Sequence, residues 1–311
     1  MQDSNPFISI IIPLYNCSDF IDELYKRLTI TLNLFCKDYE IIFINDGSPQ
    51  NEWHVISEVA QNDKKVKGLN LSRNFGQHNA ITAGLNHMSG DWAVVMDGDL
   101  QDRPEEIKNL YAEAVKGHDI VFARRINRKH SFTKIIFSKL FHMVYRSLSG
   151  IKSESKIGNF GIYGKKVVNE FNKMNEFSRS FPSLIHYLGF KYSTIDVAHD
   201  HRKNKKTAYT FFKSLSLAEN AILSNSNKPL KVTIVLGFVM SAISFLFALY
   251  NVVAKFLGFI TVQGYTATIF SIWFVGGLIL FMFGIVGLYI GKIVDQVKNR
   301  QLYILKDKIN I

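Results

Sequence analysis

Apolar residues in the first hundred positions come in short unbroken runs, each followed by a stretch with helical spacing. "ISIIIPLYN" (8–16) predicts a strand that ends in a loop, and the amphipathic stretch 19–35 predicts a helix. "YEIIFINDGS" (39–48) predicts a second strand ending in a turn, with a helix over 51–62. "KGLNLSRN" (67–74) predicts a third strand, "GQHNAITAGLNHM" (76–88) a helix with a small-residue face, and "DWAVVMDGD" (91–99) a fourth strand. Strands that are apolar on both faces and separated by helices imply an α/β domain with a mostly parallel, Rossmann-like sheet covered on both sides. Ligands of such sheets bind at the carboxyl ends of the strands. Those ends carry Asn16, Asn45-Asp46-Gly47-Ser48, Arg73-Asn74 and Asp97-Gly98-Asp99. Neither common glycine-rich phosphate loop is present, which argues against a dinucleotide fold or a P-loop.

The pattern changes in the last quarter of the chain. Residues 232–254 and 267–290 are two long runs free of charge, the second holding Gly276, Gly277, Gly284 and Gly287. A helix over the first run extends about 35 Å, enough for a hydrocarbon core of roughly 30 Å. Soluble helices are rarely apolar all round, so a membrane hairpin is expected, with the glycines allowing close helix–helix contact. Lys228 and Lys231 precede the first run, and Lys292, Lys298, Arg300, Lys306 and Lys308 follow the second; the loop between carries only Lys255. The positive-inside rule then places both the N-terminal part and the tail in the cytoplasm.

Composition sharpens this picture at three points. A net charge of +11 calls for a polyanionic partner. The basic residues cluster beside the membrane runs and not on a stacking surface, so lipid or a phosphorylated ligand fits better than nucleic acid. Cys17 and Cys36 have neither metal-ligand nor redox spacing and read as thiols in a reducing compartment. The N-terminus lacks a basic region ahead of its short apolar run, which therefore reads as a strand and not as a signal peptide.

"VVMDGDLQDRPEE" (94–106) concentrates the candidate chemistry. In an extended segment Asp97, Asp99 and Gln101 point the same way. Two carboxylates and an amide oxygen suit Mg²⁺ or Mn²⁺, and Gly98 lets the backbone approach a ligand closely. Asp102 through Glu106 read instead as a cap and first turn of the next helix.

"IIPLYN", "INDGS", "LSRNFGQHNAITAGL" and "MDGDLQD", in this order and spacing, resemble the family 2 glycosyltransferases of GT-A fold. "ARRINR", "GFKY", "SNKPL" and the tail "LYIGKIVDQVKNRQLYI" extend the likeness to the polyprenyl-phosphate branch over nearly the whole chain. The resemblance implies that Asp97, Asp99 and Gln101 hold a divalent metal on the diphosphate of a nucleotide sugar. It also implies that Asp46 binds the nucleoside, with Pro13 and Tyr15 lining the base pocket; Asn16 and Arg73 join them at the strand ends. Arg124, Arg125, Arg128 and Ser138 match positions that the family uses for the lipid phosphate, and Arg202 and Tyr209 fall in a related run in which Lys205, Thr207 and Ala208 depart from the pattern. Generic attraction to anionic lipid is the other reading of these basic residues.

Residues 131–149 have apolar positions at helical spacing with Lys134, Lys139 and Arg146 between them, the pattern of an interface helix or of one packed on the sheet. At Asn159 the family usually has an aspartate, a proposed base or metal-side residue. Asparagine accepts no proton at neutral pH. A hydroxyl acceptor needs a base, with Glu154 as a candidate, whereas a phosphate monoester is already largely a dianion.

The expected architecture is therefore a GT-A catalytic domain over 1–206 including the interface helix at about 131–149, a juxtamembrane amphipathic segment over 207–230, and a membrane hairpin with a basic tail over 231–311. The expected activity is inverting hexosyl transfer from a nucleotide sugar to polyprenyl (undecaprenyl) phosphate at the cytoplasmic face of the plasma membrane, with Asp97, Asp99 and Asn159 at the reacting centre. Two alternatives stand beside it: transfer to a hydroxyl of a lipid-linked saccharide, and a non-catalytic, membrane-anchored nucleotide-sugar-binding protein. Expected partners are the donor, the lipid acceptor, membrane lipids and a second copy of the chain.

Overall fold

The computed structural model describes residues 6–125, 157–177, 179–198, 226, 228–257 and 264–311. They fall into two compact units. One holds 6–125, 157–198 and 300–311, apart from residue 178; the other holds the long apolar helices.

The first unit is built on eight strands: β1 (Phe7–Leu14), β2 (Asp38–Asn45), β3 (Val66–Leu71), β4 (Trp92–Val95), β5 (Ile120–Arg125), β6 (Ile157–Gly164), β7 (Tyr192–Val197) and β8 (Leu305–Ile309). They form one sheet in the order β7-β5-β6-β4-β1-β2-β3-β8. Only β6 and β8 run antiparallel to their neighbours. The unbroken apolar runs have the predicted cause, since each alternate residue meets a different helical layer. Ile10, Ile12 and Leu14 pack with α1 (Ile21–Asn33), α2 (Glu52–Asn62) and α4 (Ile107–Ala114). Ile11, Ile42 and Ile44 pack on the opposite face with α3 (Gln77–Asn86), α5 (Lys165–Lys173) and α6 (Phe181–Tyr187). The small-residue face expected of α3 is required: a Cβ on Gly84 would stand 2.5 Å from Ile11 Cγ2.

Three expectations change. The fourth strand stops at Val95, because the chain turns through Gly98–Leu100, with Leu100 in the left-handed region at φ 61°. Asp102 is not a helix cap: the following 3-10 turn begins at Pro104 with Arg103 at its N-cap position. The end of the tail is a strand, not a free basic extension, since β8 pairs with β3 at the sheet edge.

The second unit contains α7 (Lys228–Phe256) and α8 (Tyr265–Val297), which enclose the two predicted apolar runs. Among the described residues one helix, Phe274–Val297, is long and apolar enough to cross a membrane. The helices approach where a Cβ on Gly237 would lie 3.2 Å from Met282 Cε. Close contact was expected at Gly276, Gly277, Gly284 and Gly287; among the described residues, a Cβ at any of these meets nothing within 4 Å. The interface helix at 131–149 and most of the juxtamembrane segment lie outside the described residues.

Candidate functional site

The carboxyl ends of β1, β2 and β4 meet at the middle of the sheet. Asp46 N–H donates to Leu14 O at 3.0 Å, and Met96 N–H donates to Ile11 O at 3.2 Å. Pro13 is buried at the end of β1, whereas Tyr15 is 46% exposed and Asn16, at φ 56°, is exposed in the loop beyond. That loop is held by Glu52, a residue the sequence reading missed: its fully buried carboxylate accepts the Cys17 N–H at 2.7 Å.

Asp46 is buried, and its two carboxylate oxygens accept the Phe75 and Gly76 N–H groups at 2.7 and 3.0 Å. Burial pushes its carboxyl up to about 6, against the opposing pull of those two N–H groups and the Arg73 charge. Gly47 follows at φ 62°, and a Cβ there would stand 2.2 Å from the Arg73 carbonyl carbon. Only glycine lets the β2 turn pass so close to the loop ahead of α3. Arg73 itself is exposed, with its guanidinium 4.3 Å over the Phe75 ring.

The acidic turn keeps the predicted alternation of exposure even though it is not extended. Asp97, Asp99 and Gln101 are partly exposed, while Gly98, Leu100 and Asp102 are buried. Gly98 serves close packing inside the protein, since a Cβ there would lie 2.3 Å from Leu14 Cδ2. Asp102 Oδ2 accepts the Asp97 N–H at 3.2 Å, and Asp99 Oδ1 accepts the Gln101 N–H at 3.2 Å. Gln77, at the start of α3, donates its amide to Asp97 Oδ1 at 2.6 Å. No pattern in the sequence pointed to Gln77 or Asp102 as supports, because both contacts depend on the turn's tertiary path. Burial lowers the neighbouring His78 to about 4, so it is neutral at physiological pH and adds no positive charge.

Asn159 lies in β6, next to β4 in the sheet. The antiparallel register pairs Val95, the last residue of β4, with Gly161, so Asn159 lies beyond that pair at the end of the sheet where β4 gives way to the acidic turn. The topology thus brings the expected residue to the strand beside the one that leads into the acidic turn, although 62 positions separate Asn159 from Asp97. Arg124 forms a forked ion pair with Asp196 across the parallel β5–β7 register, at 2.5 and 3.1 Å. Of Arg125 only the backbone is described; Arg128, Ser138, Arg202, Tyr209 and Glu154 lie outside the described residues.

Comparison with known proteins places this arrangement. The model of "Glycosyl transferase family 2" matches residues 9–175, which include the whole acidic turn and Asn159. A bactoprenol glucosyl transferase from Shigella flexneri is 32% identical over 300 residues, 96% of this chain and 97% of that protein. The undecaprenyl-phosphate 4-deoxy-4-formamido-L-arabinose transferase of Proteus mirabilis is 30% identical over 312 residues, 98% of this chain and 94% of that one. Among solved structures, glucosyl-3-phosphoglycerate synthase from Mycobacterium tuberculosis, in complex with Mn²⁺, UDP and phosphoglyceric acid, superposes with a TM-score of 0.50. It does so at 13% identity, over 70% of this chain and 77% of that one, which is a likeness of GT-A fold. The match to the family model and the near full-length relatives lead to one conclusion: this chain is a member of glycosyl transferase family 2.

Proposed function

We propose that this protein transfers a sugar from a nucleotide sugar to polyprenyl phosphate, with inversion, at the cytoplasmic face of a membrane. The observation that carries the reading is Asn159 on β6, the strand that pairs with β4 and runs past its carboxyl end, where the acidic turn begins. Asn159 is an amide, which takes no proton, and a phosphate acceptor asks for none. The near full-length relatives, named for bactoprenol and undecaprenyl phosphate, support the same acceptor.

The donor set at the turn fits a divalent cation. Asp97, Asp99 and Gln101 supply hard oxygen donors on partly exposed side chains, suited to an ion that takes its remaining ligands from water and diphosphate. Asp97, Asp99 and Gln101 would hold Mg²⁺ or Mn²⁺, which when bound stabilises charge on the departing diphosphate. Gln77 and Asp102 keep Asp97 oriented, and Asp46 keeps the β2 turn against the loop before α3. A lipid phosphate oxygen forms the new bond to the anomeric carbon as the bond to the diphosphate breaks. The nucleoside diphosphate leaves with the bonding electrons, and no proton changes hands.

Chain topology supports the membrane hairpin. β8 follows α8 and yet joins the sheet that contains β1 to β7, so the segments before and after the apolar helices lie on one side of any membrane. A crossing by Phe274–Val297 would then be matched by a return crossing through α7. The 29-residue α7, about 43 Å long, has the length for it.

The test incubates the purified protein with Mn²⁺, a panel of nucleotide sugars and undecaprenyl phosphate. The expected product is a mild-acid-labile lipid monophosphodiester, lost in Asp99→Ala. A product lengthened on a diphosphate-linked saccharide would replace the acceptor, and full activity of Asp99→Ala would remove the metal role.

A further inference from the structure

A row of polar side chains crosses the sheet from the C-terminal strand to the candidate donor loop. Asn45, Asn70 and Asp307 are register partners on β2, β3 and β8. The Ser48 N–H donates to Asn45 Oδ1 at 3.1 Å, Asn45 Nδ2 to Asn70 Oδ1 at 2.9 Å, and Asn70 Nδ2 to Asp307 Oδ2 at 2.9 Å. Asn45 and Asn70 are only 5% and 6% exposed, so their amides depend on these partners. The two ends fix the polarity of the row. A backbone N–H only donates and a carboxylate only accepts, so each asparagine has one workable orientation. Beyond the row, Ser48 Oγ accepts the Asn16 N–H at 3.2 Å, which extends the connection to the loop after β1.

The strand that supplies Asp307 is fastened along its length. Ser72 N–H donates to Ile304 O at 2.9 Å, and Asn310 Nδ2 donates to Ala60 O and Val66 O at 2.6 and 2.8 Å. Mere fastening of an edge strand needs no buried amide pair leading inward from it.

We infer that the C-terminal strand is a working part of the donor site: Asp307, through Asn70 and Asn45, positions the Asp46–Ser48 turn and the Asn16 loop for nucleotide binding. The inference rests on the donor-site reading above, and makes Asp307, Asn70 and Asn45 positioning residues. Asp307 is on an exposed edge strand, where substitution disturbs little packing.

The test uses the full-length protein in detergent, with UDP and GDP, each with Mn²⁺, as calorimetric probes. Asp307→Leu removes the terminal acceptor. Asp307→Asn retains a carbonyl that can accept from Asn70, and Lys306→Leu on the same strand is the control. Expected for Asp307→Leu is nucleotide affinity weaker by about fivefold, the size of one net hydrogen bond, with an equal rise in donor KM. The KM for undecaprenyl phosphate stays at its wild-type value, and the melting temperature falls by no more than a few degrees, as one unpaired buried amide hydrogen requires. Asp307→Asn recovers most of the affinity and Lys306→Leu loses none. Unchanged nucleotide affinity in Asp307→Leu overturns the inference, as does a loss matched by Lys306→Leu. Because the nucleotide is measured without acceptor, failure to glycosylate undecaprenyl phosphate would refute the acceptor reading alone.

Discussion

Gly98→Ala probes the packing that holds the acidic turn in place. The added methyl would stand 2.3 Å from Leu14 Cδ2, where carbon–carbon contacts settle at about 3.5–4.0 Å. The two groups must therefore separate by more than about 1 Å. The clashing atom is the end of a fully buried side chain, so relief takes either a new Leu14 rotamer within the packed core or a shift of the turn. Overpacking of this kind costs about 1–3 kcal/mol. Asp97 and Asp99 flank the displaced residue, and a misplacement of about 1 Å lowers activity by roughly 100-fold. Leu14→Val in the same chain withdraws the clashing Cδ2, at a cost of its own of about 1 kcal/mol. The assay is kcat/KM for sugar transfer to undecaprenyl phosphate, with thermal melting on the same samples. Gly98→Ala is expected to fall by about 10- to 100-fold, and the double variant to regain about tenfold of that. Wild-type activity in Gly98→Ala, or a double variant no better than the single, would refute the reasoning.

Two further outcomes follow from the β2 turn. Gly47→Ala combines a left-handed backbone, costing about 1–2 kcal/mol, with a clash against main chain that no rotamer change relieves. It should lower the melting temperature by several degrees and weaken nucleotide binding, and normal values for both would show that the turn relaxes freely. Asp46 has its folded-state pKa raised from 3.8 to about 6. Its stabilising contribution is thus fully present below about pH 4 and is lost by about pH 6, a change of order 3 kcal/mol. Melting curves of the wild type relative to Asp46→Asn should show that decline between pH 4 and 6, and a difference that rises with pH would contradict it.

Much of the fold was legible because periodicity reports burial directly. "ISIIIPL" is buried throughout, and no half-exposed strand carries such a run. The residues at the carboxyl edge of the sheet were legible for a similar reason, since polar residues after an apolar strand mark its carboxyl end. The acidic turn was read correctly in its exposure and wrongly in its backbone. Gly98 and Asp102 both serve contacts within the protein, to Leu14 and to the Asp97 N–H, and neither partner is deducible from local pattern.

The sequence by itself determined the alternation of strands and helices, the two apolar runs, and the identity of the acidic and loop residues at the strand ends. These depend on local spacing and on transfer of side chains from water, which act over a few residues. Only the tertiary structure decided that the strand bearing Asn159 pairs with β4, that Arg124 pairs with Asp196, and that Asp307 reaches the β2 turn through Asn70 and Asn45. Each depends on strand order and register between segments far apart in the chain. Register is selected by packing of the whole sheet and leaves no mark on either segment alone.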